Sequence, residues 1–156
     1  SIRPATVCGY SPRMRLDVSV NMFVHQALTK KKLIVFGGKQ IRPNINIKDL
    51  INVYIHFIKN PQLKSGNYNA GFENLKILDV AKLVIKHIPA KIFIKKNVND
   101  PRSYRQNSEK LLKTGFKPIF SVEDAIIEIK NKFKNHKMLI EDKCHTVKWM
   151  KKKNIK

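Results

Sequence analysis

Arginine is the scarce basic residue in a chain otherwise crowded with lysine, so its positions carry information: Arg3, Arg13, Arg15, Arg42, Arg102 and Arg105. Each falls in or beside a predicted loop or strand end. A planar guanidinium placed there can grip a phosphate through two parallel hydrogen bonds. The run Val35–Asp49 is the most pointed case. Strand-like residues lead into Gly37-Gly38, a second extended run sets Arg42 near its start, and a helix is expected to open at Asp49. That order presents a cation at the mouth of a cleft. Asn21, with both a donor and an acceptor, suits a sugar or a diphosphate, and Arg15 is placed to reach a phosphate. Each has a plainer alternative: a cross-strand salt bridge for Arg42, a surface ion pair for Arg15 and a polar helix face for Asn21.

Other residue types promise less chemistry. Cys144-His145 offers two adjacent ligands without a second pair, which does not make a zinc site. Cys8 and Cys144 are the two cysteines, no disulfide scaffold is indicated, and a reducing cytoplasm is expected. No metal site is expected.

The chain has 156 residues, 42% of them hydrophobic, enough to bury a core. Its formal net charge of +21 invites a nucleic-acid reading. The lysines, however, are spread over nearly every segment, aromatics do not alternate with them, and no zinc-finger or RNA-motif spacing is present. Nucleic acid is therefore not the expected partner. No apolar run nears the roughly 20 residues that span a bilayer, and no membrane partner is expected.

The elements that must position the arginines follow from periodicity and punctuation. Ile2–Cys8 reads as one buried strand starting at the first residue, which suggests truncation. Asp17–Lys30 reads as a helix with Val20, Phe23, Val24 and Ala27 inward. Strands are expected at Leu33–Phe36 and Ile41–Ile47. In the next helix Leu50, Val53, Tyr54, Phe57 and Ile58 form an apolar stripe. Asn46 and Asp49 have capping-box spacing at its start, and Asp49 is expected to cap it and complement its positive end. Asn67–Ala70 reads as a short strand, Leu75–Ile88 as a helix ended by Pro89, and Lys91–Lys95 as a half-exposed strand. A short helix ends near Gly115, a glycine suited to a C-cap. Ser121 and Asp124 start the last long helix, with Val122, Ala125, Ile126, Ile129 and Phe133 inward. From His136 the chain is polar and lysine-rich, with Val147, Trp149 and Met150 able to dock on the body.

Several of these segments, in order, resemble the extended short-chain dehydrogenases/reductases, the NAD-dependent nucleotide-sugar epimerases and dehydratases. Gly37 to Asp49 is similar to the family's Gly-x-x-x-x-Arg-x-x-x-x-Val-x-Asp segment, whose arginine holds the substrate pyrophosphate. Arg3–Gly9 resembles the Arg-x-x-x-Val-x-Gly strand beside the nicotinamide and sugar. There Thr6 stands where several members carry Asn, and Cys8 where Tyr is common. Ser11–Asn21 looks like the loop and helix start that cover the substrate. Asp100–Arg105 is similar to the loop that closes over the nucleotide; Asn97 stands where many epimerases have an arginine, so Arg102 is taken to supply that charge. Gly115–Pro118 matches the Leu-Gly-Trp-x-Pro signature that positions the C-terminal helix.

What the resemblance implies is an α/β fold, the C-terminal substrate-binding part of a Rossmann-like enzyme with mixed short strands and helices. It covers residues 1–135, followed by a lysine-rich tail over 136–156. Substrate contacts are implied for Arg42, Asn21, Arg15, Arg102 and Thr6, with a nucleotide-diphosphate sugar as ligand, and the resemblance allows a homodimer. No Gly-x-x-Gly-x-x-Gly opens a helix here, and no Tyr is followed by Lys four residues on: Tyr10, Tyr54, Tyr68 and Tyr104 are followed by Met14, Ile58, Phe72 and Ser108. NAD would thus be bound mainly by an N-terminal Rossmann domain of roughly 150 residues elsewhere in the parent chain. No catalytic or cofactor-binding residue is expected in this chain, which alone should be inactive. Two other readings stay open: a stand-alone basic module for nucleic acid or another acidic partner, and a non-catalytic relative that keeps the sugar pocket.

Overall fold

The structure, a computed structural model, describes residues 1–95, 102–134 and 141–154. Their mixed α/β arrangement of short strands and helices is the fold class expected. The first seven strand residues do not run as one strand. They split into β1 (Ile2–Pro4) and β2 (Thr6–Cys8). β1 pairs in parallel with β5 (Tyr68–Ala70), the Ala5 amide donates to the Ala70 carbonyl at 2.8 Å, and the chain then crosses to pair β2 in parallel with β4 (Ile41–Asn46). This change of partner leaves most of the segment half-exposed or exposed, with only Cys8 and Gly9 buried at its end. β4 is also paired antiparallel with β6 (Glu73–Lys76), a strand not anticipated in the sequence, where Leu75 was read as helical. β3 (Lys32–Phe36) pairs in parallel with β7 (Lys91–Lys95).

Helix α1 (Ser19–Lys30) opens two residues later than expected. Asp17 does not cap it: its carboxylate is taken by Arg15 Nε (2.9 Å) and the Val147 amide (3.0 Å). Helix α2 (Ile47–Lys59) opens two residues earlier than expected, because Asn46 is the N-cap and its side chain accepts from Lys48 N at 3.0 Å. Asp49 thus sits inside the first turn and is fully buried.

Of the stripe expected on α2, Val53 is buried and Leu50 and Phe57 are half-buried, while Tyr54 and Ile58 are exposed. Tyr54 and Ile58 join Ile51 and Ile55 in a second apolar stripe at i, i+3, i+4 and i+7 that faces outward.

Two apolar cores result. The larger is built by α1, β3, α3 (Ile77–His87) and α5 (Val122–Lys134), with Val20, Phe23, Val80, Val84, Ile126 and Ile129 at its centre. In the smaller, Ile45 and Val53 meet Tyr68, Leu111 and Phe116 beneath the short helix α4 (Glu109–Leu112). The C-cap of α4 is Lys113 and not the expected glycine; Gly115, at φ 89°, ends the turn that follows. Ser121 and Asp124 start α5 with a reciprocal pair of bonds, Ser121 N to Asp124 Oδ2 (2.8 Å) and Asp124 N to Ser121 Oγ (3.1 Å). Residues 142–144 form a 3-10 turn, and α6 (Thr146–Lys152) follows. His136, where the lysine-rich tail is expected to begin, lies outside the described residues. No described helix is long and apolar enough to cross a membrane.

Candidate functional site

The turn after β3 prepares the site. Gly37 and Gly38 take φ of 70° and 104°, a left-handed pair that side chains resist. Gln40 pins this turn from below: its Oε1 accepts from Gly38 N and its Nε2 donates to the Phe36 carbonyl, both at 2.7 Å. The chain therefore re-enters as β4 in a fixed place, with Arg42 opposite Leu75 of β6. Arg42 Nη1 donates to the carbonyls of Ile41 (3.1 Å) and Arg102. Its guanidinium lies 5.4 Å from the centre of the Tyr104 ring. The segment that carries these partners is tied to the same strand, through Ile41 N to Ser103 Oγ (3.0 Å) and Tyr104 N to the Ile41 carbonyl (3.3 Å).

These residues border a cavity of about 360 Å³, which brings together Thr6 of β2, Arg42, Arg102, Tyr104, Phe36 and the start of α1 at Asp17, Val18 and Ser19. The N-terminus of α1 is bare. Val18 in the cap position makes no side-chain bond to the helix, and no acid occupies the first turn. Its first amides and its positive end thus remain available to an anion.

Among the described residues, Asp17 is the one carboxylate on the cavity wall. Burial alone would raise its pKa; the hydrogen bond from Arg15, the Val147 amide and the charge of Arg15 outweigh that and hold it below the usual carboxylate value. It stays ionised and committed to Arg15.

Thr6, Arg42 and Arg102 therefore border one cavity. Arg15, in the loop before α1, and Asn21, in the first turn of α1, do not line it. Arg15 makes the surface ion pair with Asp17 that was its plainer alternative. Asn21 is 3% exposed; its Oδ1 accepts from Gly9 N and its Nδ2 donates to the Arg15 carbonyl, both at 3.0 Å, so it clasps the two ends of the Gly9–Arg15 loop. Asn97 and Asp100 lie outside the described residues.

Sequence reasoning missed Tyr104, Gln40 and the bare start of α1. An aromatic two residues beyond Arg102 was the available signal for the first; for the last, the helix was expected to open at Asp17, which put its first turn two residues too early.

Asp49 is structural, as expected, but not as a cap. Its carboxylate accepts from the amides of Ile119 (3.1 and 3.0 Å) and Phe120 (2.9 Å), and Asn46 Nδ2 donates to the Ser121 carbonyl at 3.0 Å. The pair holds the strand-like approach to α5 against the start of α2. The Cys8 thiol, on the strand that carries Thr6, is pushed up to about 12 by burial and then by Glu73, so it remains protonated and is no nucleophile. No group of potential metal ligands occurs among the described residues.

No family model matches the sequence. Solved structures do match the fold. UDP-N-acetylglucosamine 4-epimerase from Bacillus cereus superposes with a TM-score of 0.72 at 21% identity, over 90% of this chain and 46% of its own. For dTDP-glucose 4,6-dehydratase from Bacillus anthracis, solved with NAD, the values are 0.69 and 21%, over 87% and 45%. For UDP-glucuronic acid 4-epimerase from Bacillus cereus, solved with UDP-glucuronic acid and NAD, they are 0.65 and 25%, over 86% and 45%. The chain thus has the fold found in extended short-chain dehydrogenase/reductase epimerases and dehydratases, and spans less than half the length of each of these three structures.

Proposed function

We propose that this chain is the nucleotide-sugar-binding lobe of an NAD-dependent nucleotide-sugar epimerase or dehydratase, with the dinucleotide-binding domain in another part of the protein. The observation that carries this reading is the convergence of Arg42, Arg102 and the bare N-terminus of α1 on one cavity. Two guanidinium groups and a helix start form an anion site of the size and sign that a diphosphate needs. Thr6, on the strand that ends the cavity, offers a hydroxyl to the sugar, and Phe36 and Tyr104 supply aromatic surface. Arg15 and Asn21 act through the loop they brace.

NAD does not fit this chain by itself. Its adjacent glycines, Gly37 and Gly38, join two strands, whereas a dinucleotide pyrophosphate sits where a glycine-rich turn leads from a strand into a helix. The redox chemistry is assigned to NAD and the remaining domain, and this lobe's part is to bind and orient the sugar nucleotide. The outward stripe Ile51, Tyr54, Ile55 and Ile58 on α2 supports a further domain, since packed protein would cover such a surface. Residues 1–135 form the lobe in this reading and 136–156 a basic extension. Two buried free cysteines suit a reducing cytoplasm.

Calorimetric titration with UDP, ADP, GDP and dTDP, each against its nucleoside, tests the reading. Binding should require the diphosphate and tolerate more than one base. Equal binding of nucleoside and nucleoside diphosphate would refute it.

A further inference from the structure

The last described segment is fastened to the loop that walls the cavity. The turn at Asp142–Cys144 sends Cys144, 3% exposed, into the larger core, and the Cys144 carbonyl accepts from Leu16 N at 2.8 Å. Val147 N donates to Asp17 Oδ2 at 3.0 Å, and Arg13 lies 5.9 Å over the Trp149 ring. Asp17 is itself part of the cavity wall. Across the same seam His25 of α1 faces His145 edge to face, with ring centres 6.4 Å apart and planes at 72°.

We propose that His25, packed edge to face against His145, is a pH-sensitive latch: while the His25 imidazole is neutral, residues 141–154 stay docked on Arg13–Asp17, and its protonation drives the segment off and loosens that wall. The latch does not depend on which ligand the cavity takes.

The surroundings of His25 favour its neutral form. Burial acts first, then the charge of His145 across the seam, then Lys30 on its own helix, and all three hold its pKa below the ordinary histidine value. The acids nearby are engaged elsewhere: Glu141 with Lys143 (2.9 Å), Asp142 with Lys152 (3.4 Å) and Asp17 with Arg15 (2.9 Å). Docking therefore excludes protons. It is complete above the value of a free histidine, about 6.5, and is lost as pH falls through the lowered value of His25. Asp17, held low, stays ionised across that range and is not the trigger.

Hydrogen exchange of the Leu16 and Val147 amides, corrected for its intrinsic pH dependence, reads the latch. Emission from Trp149, the one tryptophan of the sequence, reads the same seam optically. Protection of both amides should fall severalfold, on the order of fivefold or more, between about pH 8 and about pH 5.5, with the Val80–Val84 amides of α3 unchanged. Trp149 emission should shift with the same midpoint. His145→Gln, a change outside the main body, should abolish the transition, and so should His25→Gln. The latch is refuted if both amides keep their protection within about twofold over that range. It is equally refuted if His145→Gln leaves the transition intact, or if α3 loses protection in step with the seam.

Discussion

The Arg42 guanidinium lies 5.4 Å over the Tyr104 ring and donates to the carbonyl of Arg102, so the segment bearing one cavity arginine holds the other in place. The Arg42 guanidinium is thereby held at the cavity before any ligand arrives, on the same segment that carries Arg102.

Tyr104→Ala should consequently weaken nucleoside-diphosphate binding by about 0.5–1 kcal/mol, the range of an exposed cation–π contact, through loss of order at Arg42. Tyr104→Phe keeps the ring and should bind like the parent. Dissociation constants for the pair check this, and equal losses in both would point to the hydroxyl instead.

Asp49→Ala should cost about 3 kcal/mol in urea unfolding, above the roughly 0.5–2 kcal/mol of a lost helix cap, because two amides lose a charged acceptor inside the protein. Asp49→Asn keeps one oxygen and should fall between. A loss of only a few tenths would mean that the Ile119–Phe120 bonds are idle.

The case of Asp49 shows what the sequence could and could not reveal. Its place near a helix start was legible from local spacing, as were the Ser121–Asp124 box, the inward face of α5 and the turn at Gly37-Gly38. All are set by contacts a few residues apart. The partners of Asp49 lie 70 and 71 positions downstream, and no local signal announces such a bond. Separation in sequence likewise hid the split of the first strand, which depends on β5 and β4, and the bond from the Val147 amide to Asp17. Strand and turn patterns were enough to set Arg42 just beyond the glycine turn, whereas Thr6 was singled out only through the resemblance of Arg3–Gly9. The contribution of Tyr104 required knowing which segment folds back over β4.

Glu73 yields a prediction in pH. Burial raises its pKa, aided by the charges of Asp124, Asp49 and Glu123 and opposed by the Val122 amide. The folded state therefore takes up a proton more readily than the unfolded chain. This contribution to stability is fully present below the ordinary glutamate value, about 4.3, and is lost as pH rises through the raised value. Glu73→Gln should flatten that part of the stability profile and be at least as stable as the parent near neutrality, as measured by denaturant midpoints across pH. A profile unchanged by the substitution would show that Glu73 is not the group responsible.

The central claim is that the Arg42 cavity binds a diphosphate, and the most direct test is the dissociation constant of UDP or a UDP-sugar for Arg42 variants, measured beside their melting temperatures. Arg42→Ala should weaken binding by about 2–3 kcal/mol, the scale of charge-assisted contacts to a partly buried diphosphate, with only a small fall in melting temperature. Arg42→Lys should recover part of the affinity, since an ammonium keeps the charge and loses the planar fork. An unchanged dissociation constant in Arg42→Ala, together with a lowered melting temperature, would contradict the account and make Arg42 a residue that only holds the Arg102–Tyr104 segment in place.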